Sequence, residues 1–79
     1  MTVFHEVLKD YWHLIRQGIP FIIFVNNTKI FDGNVTDIKK QMTKEKWKEL
    51  LDYKCTEYSY STLFQTAVFK LTKEVTNNA

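Results

Sequence analysis

Apolar side chains at Val3, Phe4, Val7, Leu8, Tyr11, Trp12, Leu14 and Ile15 recur at spacings of three and four, which gathers them into one wide stripe on a helix. His5, Glu6, Lys9, Asp10, His13, Arg16 and Gln17 fill the other side. Thr2 stands where an N-cap belongs. Gly18 can adopt the left-handed conformation that closes a helix, Ile19 can fold back on the last turn, and Pro20 forbids continuation.

From Phe21 the period changes. Phe21-Ile22-Ile23-Phe24-Val25 is a run of β-branched and aromatic residues, and Asn26-Asn27 suits the positive φ angles of a two-residue hairpin turn, so Thr28 to Asp32 should return antiparallel. That turn sets Val25 opposite Thr28, Phe24 opposite Lys29, Ile23 opposite Ile30 and Ile22 opposite Phe31. One face then carries Phe21, Ile23, Val25 and Ile30, the other Ile22, Phe24 and Phe31. A half-buried hairpin normally shows polar residues on one side, so two apolar faces call for a second cover.

Asp32-Gly33-Asn34 signals a turn or bulge, and Thr36-Asp37 can start a short helical turn over Ile38 and Met42. Thr43 caps a second helix, with Glu45 in its first turn and Trp47, Leu50 and Leu51 as its apolar set, over Lys44 to Leu51. Tyr53, Cys55 and Glu57 alternate with Lys54, Thr56 and Tyr58 as in a strand, and Ser59-Tyr60-Ser61-Thr62 reads as a turn. Leu63 to Leu71 then returns as the last strand, with Ala67, Phe69 and Leu71 on one face and Phe64, Thr66 and Val68 on the other. The order of helix, hairpin, short helix and hairpin predicts an α+β fold, an antiparallel sheet of about four strands with the helices mainly on one face. Residues 1–75 form a single domain on this reading, and 76–79 a frayed tail.

Composition narrows the functional classes. The chain has 79 residues, 44% hydrophobic and 15% aromatic, too apolar for disorder and long enough for one small core. Eleven Lys plus Arg against nine Asp plus Glu leave a net charge of +2, far from the excess of a dedicated duplex-DNA binder. Cys55 is the single cysteine, which excludes an internal disulfide and fits a reducing compartment, so the expected location is the cytoplasm. No apolar run reaches the roughly 18 residues of a bilayer span, and no membrane association is expected.

Chemistry is sparse. Cys55 with His5 or His13 is the only nucleophile and base combination, yet nothing adjacent would lower the thiol pKa, and a lone strand cysteine commonly serves as a small buried hydrophobe. His5 and His13, eight apart, point about 80° from one another on a helix, and with Cys55 they are too scattered for zinc. Asp32-Gly33-Asn34 lacks the remaining ligands of a calcium loop. Gly18 and Gly33 stand alone, so there is no phosphate-binding loop. The reading is a non-enzyme without metal or cofactor.

Binding fits the surplus of aromatic residues better, because Tyr, Trp and Phe are enriched at interface centres. The candidate partner-binding residues are Ile22, Phe24 and Phe31 on the first hairpin and Tyr58, Tyr60 and Phe64 on the second. A symmetric homodimer could complete both faces instead. Alternatively Lys40, Lys44 and Lys48, spaced by four, could line a helical face and, with Lys54, meet nucleic-acid phosphates while Tyr58 or Tyr60 stack on bases.

The segment Phe31-Asp32-Gly33, with Val35, Asp37 and Ile38 after it, set between a leading helix and a closing strand pair, resembles small accessory proteins of phages and prophages of low-GC Gram-positive bacteria. The lysine-rich stretch before Leu50-Leu51 and the tyrosine-rich third strand depart from that pattern. The resemblance implies a non-enzymatic role in the host cytoplasm, and some such proteins inhibit host defence nucleases, anti-CRISPR proteins among them. It carries no catalytic residues.

Overall fold

The computed structural model describes residues 2–73, so the tail expected at 76–79 lies outside the described residues. Helix α1 (Phe4–Arg16) is followed by strands β1 (Phe21–Val25) and β2 (Thr28–Gly33). A 3-10 turn (Val35–Asp37), short helix α2 (Ile38–Gln41) and helix α3 (Lys44–Leu51) then lead to β3 (Lys54–Ser61) and β4 (Thr66–Thr72). The fold is α+β, as the order of patterns predicts.

The C-terminal end of α1 is set by local chemistry, as expected, and the N-terminal end by a distant strand. Gly18 takes φ +100°, its N–H donates to the Ile15 carbonyl and the Ile19 N–H to the Leu14 carbonyl, a double closure that satisfies two terminal acceptors. Thr2 does not cap. The residue at the N-cap is Val3, drawn into an antiparallel bridge with Lys54, while the Phe4 N–H donates to the Tyr53 carbonyl at 2.8 Å and the Cys55 N–H to the Thr2 carbonyl at 2.8 Å. Tertiary pairing with β3 does the work expected of a capping hydroxyl.

The sheet runs β2-β1-β4-β3. Each hairpin is antiparallel, but β1 and β4 pair parallel at the centre, so the sheet is mixed rather than wholly antiparallel. The two central strands hold Phe21, Ile23, Ala67, Phe69 and Leu71, all buried, and strands with such inward faces exclude most water when flanked on both sides. Phe4, Val7, Leu8 and Ile15 of α1 and Leu50 of α3 complete the same core. Phe69 lies at its centre, with the rings of Phe4 at 5.2 Å, Tyr11 at 5.6 Å and Phe21 at 6.3 Å. Both helices therefore cover one face of the sheet, and the residues that alternate with the core set face away from them.

Two bulges decide which residues those are. In the first hairpin the register slips between Ile23 and Phe24, so Ile23 pairs with Phe31 and Ile22 with Asp32. Asn26 and Asn27 do adopt φ of 50° and 69° as the turn requires, but Ile30 is an extra residue on β2. In the second hairpin the slip at Thr56 sets Tyr58 opposite Phe69 and Tyr60 opposite Ala67. The turn there is at 62–65, with Gln65 at φ 49°, rather than at Ser59 to Thr62.

Candidate functional site

Phe31 is not on an exposed hairpin face. It is 1% exposed and its ring lies 4.7 Å from that of Phe21 in the core, because the Ile30 bulge turns it through the sheet. Ile30 itself is half-buried at the core margin. Tyr60 is likewise half-buried against the core, brought to that face by the Thr56 bulge. Tyr58 follows Phe69 onto the helix side at the sheet edge, where its ring meets Tyr11 edge-on at 6.1 Å and remains half exposed. Phe31 thus leaves the expected patch for the core and Tyr60 is drawn to its margin, while Tyr58 stays exposed at the sheet edge.

Ile22 and Phe24 do face away from the helices and are half-buried. Three of their four cross-strand neighbours are charged. Phe24 sits between Lys29 on β2 and Lys70 on β4, and Ile22 between Asp32 and Val68. Long lysine stems laid beside a ring shield it while the ammonium stays in water. Each ammonium is held by a carboxylate, Lys29 to Asp32 at 3.2 Å and Lys70 to Glu57 at 3.6 Å, so the face is neutralised locally.

Phe64 stands apart from that group and brings a neighbour that its predicted strand position conceals. At the tip of the β3–β4 hairpin Leu63 is 83% exposed and Phe64 is 74% exposed. The turn is closed by its own polar groups: the Phe64 N–H donates to Ser61 Oγ at 3.2 Å, and Thr66 Oγ1 donates to the Phe64 carbonyl at 2.9 Å. The Phe64 N–H and carbonyl are both engaged by flanking hydroxyls, and the Leu63 and Phe64 side chains stand exposed beside them. Leu63 became visible only with the register of the hairpin. Pairing Tyr60 with Ala67 and Ser61 with Thr66 places the turn midpoint between Leu63 and Phe64.

The lysines expected to act together are divided. Lys40 ends up on α2 with Asp37 3.9 Å away, Lys44 and Lys48 are on α3, and Lys54 opens β3. Met42, with extended backbone at the end of α2, interrupts the single helical face that a spacing of four would otherwise make. Thr43 caps α3 as its sequence suggests, its Oγ1 accepting from the Lys46 N–H at 3.1 Å.

Cys55 is buried on β3, with its Sγ 3.4 Å from the Glu57 carbonyl oxygen, and burial pushes the thiol pKa up. His5 and His13 are exposed on α1. Among the described residues no group of His, Cys, Asp and Glu is arranged to hold a metal ion. No helix among them is long and apolar enough to cross a membrane. One polar cluster is well organised: the Tyr53 hydroxyl donates to Glu49 Oε2, with Lys46 3.6 Å and Lys73 3.9 Å from the same oxygen. It ties α3 to the segment leading into β3 and to the end of β4.

Compared with protein-family models, with curated proteins and with solved structures, the chain matches none.

Proposed function

We propose that this domain is a protein-binding module whose primary contact is the β3–β4 tip. The exposure of Leu63 and Phe64 side by side carries the reading. Turn chemistry selects Gly, Asn, Asp and Ser, and nothing in the closure of this turn by Ser61 and Thr66 requires two large apolar side chains. A Leu-Phe pair on a braced hairpin loses little conformational freedom on binding, which favours its use as an anchor in a partner's apolar pocket. The similarity of the Phe31 to Ile38 segment to phage accessory proteins extends the reading to a cytoplasmic inhibitor of a host defence protein, such as a CRISPR nuclease.

The test is a comparison of the wild-type chain with Leu63→Ser/Phe64→Ser as bait in a host lysate, alongside sedimentation of both purified proteins. At such exposure the double substitution should leave stability within about 0.5 kcal/mol per site. A protein retained by the wild type and lost from the variant supports the reading. Identical retention by both baits overturns it, and loss of self-association in the variant would instead assign the tip to a homodimer.

A further inference from the structure

The helical side of the molecule holds a second apolar surface, distinct from the hairpin tip and different in charge from the open sheet face. Trp47 of α3 stands between two depressions. On one side Val35, Ile38 and Met42 line an open groove of about 570 Å³ with Lys39 and Lys44 at its margin, room for several side chains. On the other, Leu8, Trp12 and Leu51 line a shallower one of about 270 Å³ with His5 and Lys9. Trp47 is held from behind by the ring of Phe4, 6.0 Å away and nearly perpendicular, so the ridge is anchored in the core.

Charge indicates what belongs there. No carboxylate lines either depression. Asp37, beside Ile38 in the chain, is engaged by the Asn34 N–H and lies near Lys40, Glu45 falls about 160° around α3 from Trp47 at 100° per residue, and Glu6 and Asp10, the chain neighbours of His5 and Lys9, are outside the lining of the second depression. Lys9, Lys39 and Lys44 form no ion pair with a described carboxylate, whereas Lys29 and Lys70 on the open sheet face each have one. In a chain of net charge only +2, the charged side chains that line the apolar surface between the helices are Lys9, Lys39 and Lys44, with Thr43 and His5 beside them.

We infer that the groove on either side of Trp47 takes an acidic amphipathic helix from a partner protein. Apolar residues along one face of that helix seat in the two depressions, and its carboxylates meet Lys9, Lys39 and Lys44. Helix-in-groove recognition uses this division of labour, with apolar anchors at helical spacing giving affinity and flanking charge giving orientation and on-rate. Met42 adds an unbranched side chain able to adjust to the anchor it meets. The inference shares with the proposed function only the class of partner, since its surface is separate from Leu63 and Phe64.

The test is an NMR titration of the ¹⁵N-labelled full chain with a synthetic helical peptide of about 16 residues, Leu and Phe on one face and Glu on the other. Amide shifts should concentrate at Val35 to Trp47 and Leu8 to Trp12. Lys39→Glu/Lys44→Glu, at exposed positions, should weaken binding at least about tenfold, as should raised salt. Leu63→Ser/Phe64→Ser should leave it unchanged, so failure here is separable from failure at the tip. The inference is overturned by absence of shifts, by equal binding of the peptide with Lys in place of Glu, by shifts confined to the sheet or tip, or by a short oligonucleotide producing the same shifts.

Discussion

Ile23 faces Phe31 across the first hairpin, one residue beyond the partner that a plain two-residue turn at Asn26 and Asn27 dictates. That single offset moves Phe31 from a supposed binding face into the core and leaves Ile30 at its margin. It also explains how one hairpin can look apolar on both sides in sequence and yet be covered by helices on only one.

Phe31→Ala should therefore act as a core truncation and cost about 3–5 kcal/mol, set against a total of roughly 4–12 kcal/mol for a domain of this length. Phe24→Ala, half-buried between Lys29 and Lys70, should cost nearer 1 kcal/mol. Urea unfolding of the two variants decides the assignment, and equal losses would contradict the bulge at Ile30.

Gly33 closes the same hairpin at φ +152°, and a Cβ placed there would lie 2.6 Å from Asp37 Oδ2. Asp37 cannot retreat freely, since that oxygen accepts from the Asn34 N–H at 3.0 Å while Asn34 Oδ1 accepts from the Thr36 N–H at 3.2 Å. Gly33→Ala should destabilise by about 1–3 kcal/mol. Combined with Asp37→Ala it should cost less than the sum of the two single changes, because the second removes the 2.6 Å contact with Oδ2 and leaves only the Asp37 Cβ at 3.1 Å. Additivity in a double-mutant cycle would show that backbone strain alone sets the requirement for glycine.

The Tyr53–Glu49 pair links stability to pH at both ends of the scale. Its hydrogen bond to Glu49, then burial, pushes the Tyr53 phenol up to about 12, and the same bond, followed by Lys46, holds the Glu49 carboxyl below its ordinary value. A raised phenol stabilises the fold fully below its unfolded value of about 10, and this contribution is lost as pH climbs from there to about 12. The lowered carboxyl contributes above its unfolded value and is lost as pH falls through the folded one. Tyr53→Phe should flatten the pH dependence of the urea midpoint at both ends and remove one phenolate transition near pH 12 from the ultraviolet titration. Retention of that transition would assign it to another tyrosine.

Cys55 should behave as a buried hydrophobe. Burial keeps its thiol protonated at neutral pH, so alkylation of the native protein should proceed only through opening of the fold and accelerate by orders of magnitude in denaturant. Rapid labelling of the folded chain would revive a nucleophilic role.

By itself the sequence determined what short-range chemistry controls: α1 with its Gly18 closure, the Asn26–Asn27 turn, the Thr43 cap and the extent of α3. These rest on dihedral preferences and hydrogen bonds spanning a few residues. Strand order, the parallel pairing of β1 with β4 and the replacement of the Thr2 cap by β3 depend on segments far apart in the chain, which only packing brings together. The bulges at Ile30 and Thr56 belong to the same class. Because side chains alternate along a strand, one inserted residue exchanges the two faces, so a reading without bulges misassigned Phe31 and the second tyrosine strand together. Phe64 was visible as a candidate, but its exposure beside Leu63 and the cationic groove around Trp47 were decided by where the second hairpin turns and how α2 and α3 meet α1.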